Sequence, residues 1–294
     1  MCAINHEYND IMMSNRLEPE LNIYHYPDHL RASLDQLPRS PGVYLFHGQS
    51  DRLPLYIGKS VNIRSRVMAH FRAQGEAKLL RQTQRISFIT TAGALGALLL
   101  EAQLIKQQQP LFNKRLRRSK QLCSLRIGDG RVMIVHAKEI DFAVTPNLYG
   151  LFANRSTALA KLRVIADEQR LCYGKLGIDK LPLGAACFRF SLGKCAGACC
   201  GAESEQQHGQ RLVTALEQIR INCWPYTGRV ALEEQGDSLR QYHVIDNWFY
   251  LGSVSSLEQA DALQHPASHF DSDGYKILCK PLMAGHYRII ELPG

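Results

Sequence analysis

The chain has 294 residues, 45% of them apolar and 21% charged, with a formal net charge of +8. That length suffices for two domains and a substantial core, and no apolar run reaches membrane-spanning length: the longest, Ala94 to Leu100, is interrupted by Gly96 and ends at Glu101. Charge is uneven, because residues 41–126 carry fifteen Lys or Arg against only Asp51, Glu76 and Glu101, a local +12 that leaves −4 for the rest; such a segment suits DNA or RNA.

The N-terminus holds Glu7, Asp10, Glu18 and Glu20 and lacks a signal-peptide core, so a cytoplasmic location is expected. Nine cysteines in a reducing compartment point to metal chemistry or chance rather than disulfides. Residues 1–35 are expected to form an N-terminal arm, loose over its first twenty or so positions. Within it Asp28 to Leu34 is predicted as a short helix with Asp28 as N-cap. Pro38 and Pro41 then stop any helix and deliver the chain into a strand.

Gly42-Val43-Tyr44-Leu45-Phe46 and Leu55-Tyr56-Ile57-Gly58-Lys59 are two apolar runs, each with a tyrosine, across a polar loop containing Gly48, Asp51 and Pro54. They read as neighbouring strands. Ile63, Val67 and Phe71 recur every fourth residue as a helical stripe, and Arg66 and His70, also four apart, stack on another face. Glu76 to Arg85 is a basic amphipathic segment, Arg85 to Thr91 a third strand, and Gly93 and Gly96 precede a second helix through about Gln107. Glu101 falls among Ala97, Leu98, Leu104 and Ile105, so its carboxylate leaves an apolar face and carries a desolvation cost. Two readings remain: a buried salt bridge to an arginine, or a ligand to a divalent ion such as Mg²⁺, which often takes a single protein carboxylate.

The paired tripeptides Gly42-Val43-Tyr44 and Tyr56-Ile57-Gly58 resemble the signature of the GIY-YIG nucleases, followed in order by Arg66, Glu101 and Asn113 at the family's positions. The resemblance implies a small, mainly antiparallel sheet flanked by helices and metal-dependent phosphodiester hydrolysis with Mg²⁺ or Mn²⁺. It casts Tyr56 as general base, a poor one at neutral pH unless Lys59 and the metal lower its pKa. Arg66 would offer its donor fork to phosphate oxygens, Glu101 would hold the metal behind the leaving oxygen, Tyr44 and His70 would orient water or phosphate, and Asn113 would fix the site by hydrogen bonds.

The cluster Lys114, Arg115, Arg117, Arg118 and Lys120 is expected either to contact successive DNA phosphates or to be a solvated loop. A hairpin is predicted around Gly128-Asp129-Gly130. A second block starts near Asn147, with a helix capped by Ser156 and running to about Gln169. Cys172, Cys187, Cys195, Cys199 and Cys200 then follow at spacings that miss the paired C-x2-C pattern of common zinc sites, yet allow four thiolates to converge. Residues Cys187 to Cys199 resemble the cysteine-rich region after the nuclease domain of UvrC-type repair proteins. That implies a [4Fe–4S] cluster on Cys172, Cys187, Cys195 and Cys199, with zinc or plain buried thiols as alternatives and Cys200 able to replace Cys199. Glu203 to Cys223 reads as helix, whereas Tyr242 to Val254, Tyr275 to Leu282 and Tyr287 to Leu292 read as strands. Trp248, Phe249 and Tyr250 fit a core better than a base-stacking surface.

The expected class is therefore α+β, divided into an arm (1–35), a nuclease domain (36–120), a connecting hairpin (121–146) and a cysteine-rich, mixed α/β C-terminal domain (147–294). A single nuclease unit with this C-terminal part resembles the UvrC-homologous excinucleases of bacterial nucleotide excision repair and the SOS response. The resemblance implies one 3′ incision beside a lesion in damaged double-stranded DNA, with UvrB as partner and UvrA upstream. Two rivals are a sequence-reading GIY-YIG endonuclease of restriction or mobile-element type, opposed by the cysteine block, and a non-catalytic DNA-binding protein, opposed by the intact constellation.

Overall fold

The computed structural model describes residues 28–50, 53–113, 122–128, 131–180, 185–264 and 270–293. In the first unit a 3-10 turn leads into helix α1 (Arg31–Asp35), followed by β1 (Gly42–His47), β2 (Pro54–Ser60), α2 (Ile63–Arg72), α3 (Ala77–Gln82), β3 (Arg85–Thr90) and α4 (Ala94–Gln108). The strands form an antiparallel sheet in the order β2-β1-β3. Every residue of the central β1 is buried. Its side chains alternate between two layers, as a pleated strand requires. Tyr44 and Phe46 pack with Leu30, Leu34, Ile63, Val67, Leu79 and Leu80 on the side of α1–α3, while Val43 and Leu45 pack with Ile105 of α4. Leu30 and Leu34, assigned by sequence to the arm, thus pack into the core of the first unit.

The second unit contains β4 (Cys123–Gly128), β5 (Arg131–His136), β6 (Leu148–Phe152), α5 (Arg155–Glu168), the one-turn α6 (Phe188–Ser191) and α7 (Glu205–Glu217). The β4–β5 hairpin, expected as a connector, pairs through β4 with β6 in one antiparallel sheet. It is part of this unit's core, where Leu125 and Tyr149 meet Leu162, Ile165, Leu212 and Leu216. The cap of α5 is Asn154, not Ser156: Asn154 accepts from the Thr157 N–H and Thr157 closes a reciprocal capping box.

The third unit is an antiparallel sheet of β7 (Val230–Gln235), β8 (Arg240–Asp246), β9 (Phe249–Val254) and β10 (Arg288–Glu291), in the order β10-β7-β8-β9, with α8 (Ser272–Met283). The strand expected over Tyr275 to Leu282 is helix α8. The run Tyr-Lys-Ile-Leu-Cys has strand-like composition, but the buried Tyr275, Leu278 and Leu282 recur at helical spacing. Trp248 is fully buried in the core with Tyr250 and Tyr275, as the core reading expects. No described helix is long and apolar enough to cross a membrane.

Candidate active site and thiol centre

Antiparallel register brings the two tyrosines to one face. Tyr44 lies opposite Gly58, and Phe46 opposite Tyr56. A Cβ at Gly58 would overlap the Tyr44 hydroxyl and come within 2.8 Å of Tyr56 Cε1. The glycine of the second tripeptide therefore clears the space in which the first tyrosine lies across β2. The stripe Ile63–Val67 seats α2 on this face and turns His70 inward, where it is buried. The rings of Tyr44 and Tyr56 are 6.2 Å apart and each is 5.5 Å from the His70 ring.

His70 Nε2 lies 2.8 Å from the Tyr44 hydroxyl, and Nδ1 lies 3.8 Å from Glu76 Oε1. Burial, with Arg66 adding to it, pushes the imidazole down to about 4, so it is neutral at pH 7. Burial also raises the Tyr44 phenol, with the Tyr56 phenol adding to it and Arg66 opposing. The Tyr56 phenol is raised by burial and then by the Glu101 carboxylate, which outweigh the opposing Tyr44 hydrogen bond and Arg66 charge, so among the described residues no group makes it a ready base at neutral pH. Arg66 is exposed at the rim beside both phenols.

Glu101 approaches from α4 on the other side of β2. Its Oε1 accepts a hydrogen bond from the Lys59 N–H at 3.2 Å, and burial raises its pKa despite the nearby Lys59 ammonium. A desolvated carboxylate that meets one cationic side chain among the described residues is a hard oxygen donor that suits one divalent ion completed by waters and phosphate. Among the described residues no arginine acts on Glu101, as the salt-bridge alternative would require. Asn113 grips the strand between the tyrosine and the glycine: its Oδ1 accepts from Ile57 N at 2.9 Å and its Nδ2 donates to Ile57 O at 2.8 Å. The structure thus gathers Tyr44, Tyr56, His70 and Arg66 on one face of β2, with Lys59, Glu101 and Asn113 around that strand. Lys114, Arg115, Arg117, Arg118 and Lys120 lie outside the described residues. Sequence reasoning missed Glu76 and the spatial role of Gly58. Glu76 meets His70 across the end of α2, where periodicity gives no signal.

The second centre lies in the middle unit. The sulfurs of Cys172, Cys187, Cys195 and Cys199 all lie within 4.8 Å of one another, the only group of three or more potential ligands among the described residues. Cys187 N donates to Cys199 Sγ, Gly197 N to Cys195 Sγ, and Cys172 N to His208 Nε2. Cys200 is exposed, and its sulfur faces Gly197 O instead. Burial pushes the Cys195 thiol up to about 12, whereas the Cys187 N–H and neighbouring thiols outweigh burial at Cys199 and bring it to about 7. Arg189 stacks 3.8 Å over the Tyr173 ring and pairs with Asp167 at 2.6 Å, which anchors the cysteine loop to the end of α5.

Comparison with known proteins divides the chain in the same sense. Residues 40–114 match the UvrC-like GIY-YIG domain, residues 114–218 the UvrC/Cho excinuclease middle domain, and residues 229–294 the excinuclease Cho C-terminal domain. The excinuclease cho of Escherichia coli (strain K12) is 61% identical over 282 residues, covering 96% of each chain. That of Salmonella typhimurium is 58% identical over 270 residues, or 92% of each. The UvrABC system protein C of Deinococcus radiodurans is 31% identical over 188 residues, 64% of this chain and 29% of that one. Among solved structures, the GIY-YIG N-terminal endonuclease domain of UvrC from Thermotoga maritima, bound to its catalytic divalent cation magnesium, is 27% identical, covers 30% of this chain and 99% of that one, and has a TM-score of 0.28.

Proposed function

The chain belongs to the excinuclease Cho family, and on that premise we propose that it makes the 3′ incision beside lesions in damaged double-stranded DNA during nucleotide excision repair. Its reaction is metal-dependent hydrolysis of one phosphodiester, carried out in the cytoplasm on DNA already marked by UvrB with UvrA upstream. The observation that carries this reading is the convergence of Tyr44, Tyr56 and His70 within 6.2 Å of one another, beside Arg66 and a half-buried Glu101.

With His70 neutral and Nδ1 facing Glu76, the tautomer that fits has its proton on Nδ1, so Nε2 accepts from the Tyr44 hydroxyl. Tyr44 is thereby held protonated, and its oxygen lone pairs accept a hydrogen bond from the attacking water and orient it. Tyr56, half-buried beside it, would act as the base once ionised: its phenolate takes the proton of the attacking water, directly or through a second water, as the water oxygen bonds to phosphorus and the P–O bond to the leaving oxygen breaks. Arg66 at the exposed rim donates to the non-bridging oxygens as charge builds on them. When bound at Glu101, Mg²⁺ or Mn²⁺ supplies Lewis-acid charge to the leaving oxygen and offsets the carboxylate's opposition to ionisation of Tyr56. Lys59 adds positive charge on the same strand, and Asn113 holds Ile57 so that Tyr56 and Gly58 keep their register.

The test is nicking of a duplex carrying one defined lesion, with magnesium or manganese, with and without UvrA and UvrB. Wild type is expected to cut once on the 3′ side, and Arg66→Ala to lose the cut by a factor of at least about 10². Intact damaged duplex in the complete wild-type system would refute the assignment.

For the thiol centre the reading is a [4Fe–4S] cluster on Cys172, Cys187, Cys195 and Cys199, since four thiolates this close repel one another without positive charge between them. One observation favours zinc instead. Sulfurs within 4.8 Å suit a single tetrahedral ion, whose ligand–ligand edge is about 3.8 Å for bonds of about 2.3 Å. Four separate irons would require the side chains to open outward. Iron, acid-labile sulfide and zinc analysis of anaerobically purified protein decides between them.

A further inference from the structure

Helix α4 carries Glu101, yet its first turn is capped by another unit of the molecule. Gly93, at its N-cap, has no side chain to offer. The buried Glu234 of β7 takes that role: Oε1 accepts from Leu95 N at 2.9 Å and Oε2 from Gly96 N at 2.8 Å. Glu234 Oε2 also lies 3.0 Å from Nε2 of the fully buried His243, whose Nδ1 is 2.7 Å from Ser253 Oγ, itself 2.6 Å from the Tyr250 hydroxyl. Next to this relay, Ala92 N donates to Gln241 Oε1 at 2.8 Å.

The contact is built for close approach. A Cβ at Gly93 would overlap the Glu234 carboxyl, and one at Gly96 would lie 2.8 Å from His243 Cε1. At the far end of α4, Lys106 pairs with Asp271 and Asp273 at the start of α8. Gly96 and Lys106 lie five residues on either side of Glu101, so the C-terminal unit grips α4 both before and after its acidic residue. Two otherwise unpartnered first-turn N–H groups and the positive end of the helix meet a carboxylate at a fixed depth. Burial alone would raise the Glu234 pKa, but His243 and the two helix amides hold it below the usual range, so it is charged when it caps. Leu95 and Leu99 of α4 lie in the core shared with Val230, Leu232 and Ile245, whereas Ile105 packs against β1 and β2.

We propose that Glu234 is a positioning residue for the cation site: from the C-terminal sheet it fixes the depth and rotation of α4, so this unit completes the nuclease's metal-binding carboxylate. The inference rests on the reading of Glu101 as the cation ligand. At 1.5 Å of rise and about 100° of turn per residue, a small roll of α4 carries the Glu101 carboxylate off β2.

The experiment uses full-length protein without DNA and counts bound Mn²⁺ from the electron paramagnetic resonance signal of the free ion. Four chains are compared: wild type, Glu101→Ala, Glu234→Ala and Glu234→Gln. Wild type is expected to bind Mn²⁺ and Glu101→Ala to lose that site. Glu234→Ala should bind about tenfold more weakly, with far-UV circular dichroism and metal-free DNA affinity unchanged. Glu234→Gln should fall between them, because one amide oxygen still accepts a helix N–H. If Glu234→Ala does not fold, Glu234→Gln alone decides. Folded Glu234 variants that bind Mn²⁺ as wild type does would overturn the proposal while leaving the cation reading intact. Binding unaffected by Glu101→Ala, or none by wild type, would instead remove the cation reading and this inference with it.

Discussion

His70 links the protonation of one ring to the stability of the nuclease unit. Its side chain is 4% exposed, its Nε2 is occupied by Tyr44, and burial with Arg66 lowers it to about 4 from 6.5. Glu76, whose carboxylate lies near Nδ1, is 41% exposed, so water screens the help it gives a charged imidazole. The sign follows from proton counting: between pH 6.5 and 4 the unfolded chain binds a proton that the folded chain refuses, so stability is lost as pH falls through that window. This one group should remove about 3 kcal/mol across it. Urea unfolding at several pH values should show that loss in wild type and a flatter profile in His70→Gln, which keeps a hydrogen-bonding group but does not titrate. Parallel losses in both proteins would mean that the buried imidazole is not neutral. The tyrosine–arginine–histidine group was legible in the sequence because register and helical spacing suffice to assemble it. The Glu76 contact was not, because it crosses a helix end and a short turn whose geometry no periodicity encodes.

At the scale of elements, the pairing of β1 with β2 sets the site, and Gly58 is where that pairing is tightest. A methyl group there has no free direction, since the Tyr44 hydroxyl and the Tyr56 ring already fill the space. Gly58→Ala is expected to cost about 1–3 kcal/mol through overpacking and to lose nicking as Tyr44 is pushed from His70. Gly209→Ala, in α7 with nothing near its added methyl, should be neutral or stabilising by up to about 1 kcal/mol. Thermal unfolding of the two variants provides the comparison, and equal behaviour would sink the packing argument. The first sheet was legible because its strands are short, apolar and separated by turn residues. Helix α8 was not: Tyr275, Ile277 and Cys279 alternate as a strand would, and Pro281 argues against a helix, yet burial selects Tyr275, Leu278 and Leu282. Packing against α4 and the Trp248 ring decides, and neither partner is local in sequence.

Across the whole molecule, α4 belongs to two cores, and this explains why its sequence is apolar around much of its circumference. A helix with Leu95 and Leu99 on one side and Ile105 on another has to be covered twice. The sequence therefore announced burial without naming the second cover, which lies more than a hundred residues downstream. The cysteine set poses a complementary case, since spacing offered four or five ligands and only the fold separates Cys199, turned inward, from Cys200, turned out. The thiol centre joins the loop of residues 185–200, anchored to α5 through Arg189 and Asp167, to Cys172, whose N–H donates to His208 of α7. Filling it should therefore stabilise the middle unit, because a bound ion or cluster contributes its binding energy to folding. Cys195→Ser is expected to lose the iron or zinc and to lower the unfolding temperature of the middle unit by several degrees, about 4–8 °C for each kcal/mol lost in a unit of about 100 residues. Cys200→Ser should retain both metal content and melting temperature. Metal analysis beside calorimetry checks the pair. Full metal retention by Cys195→Ser, or loss by Cys200→Ser, would show that the four sulfurs gathered at 172, 187, 195 and 199 are not the ligand set.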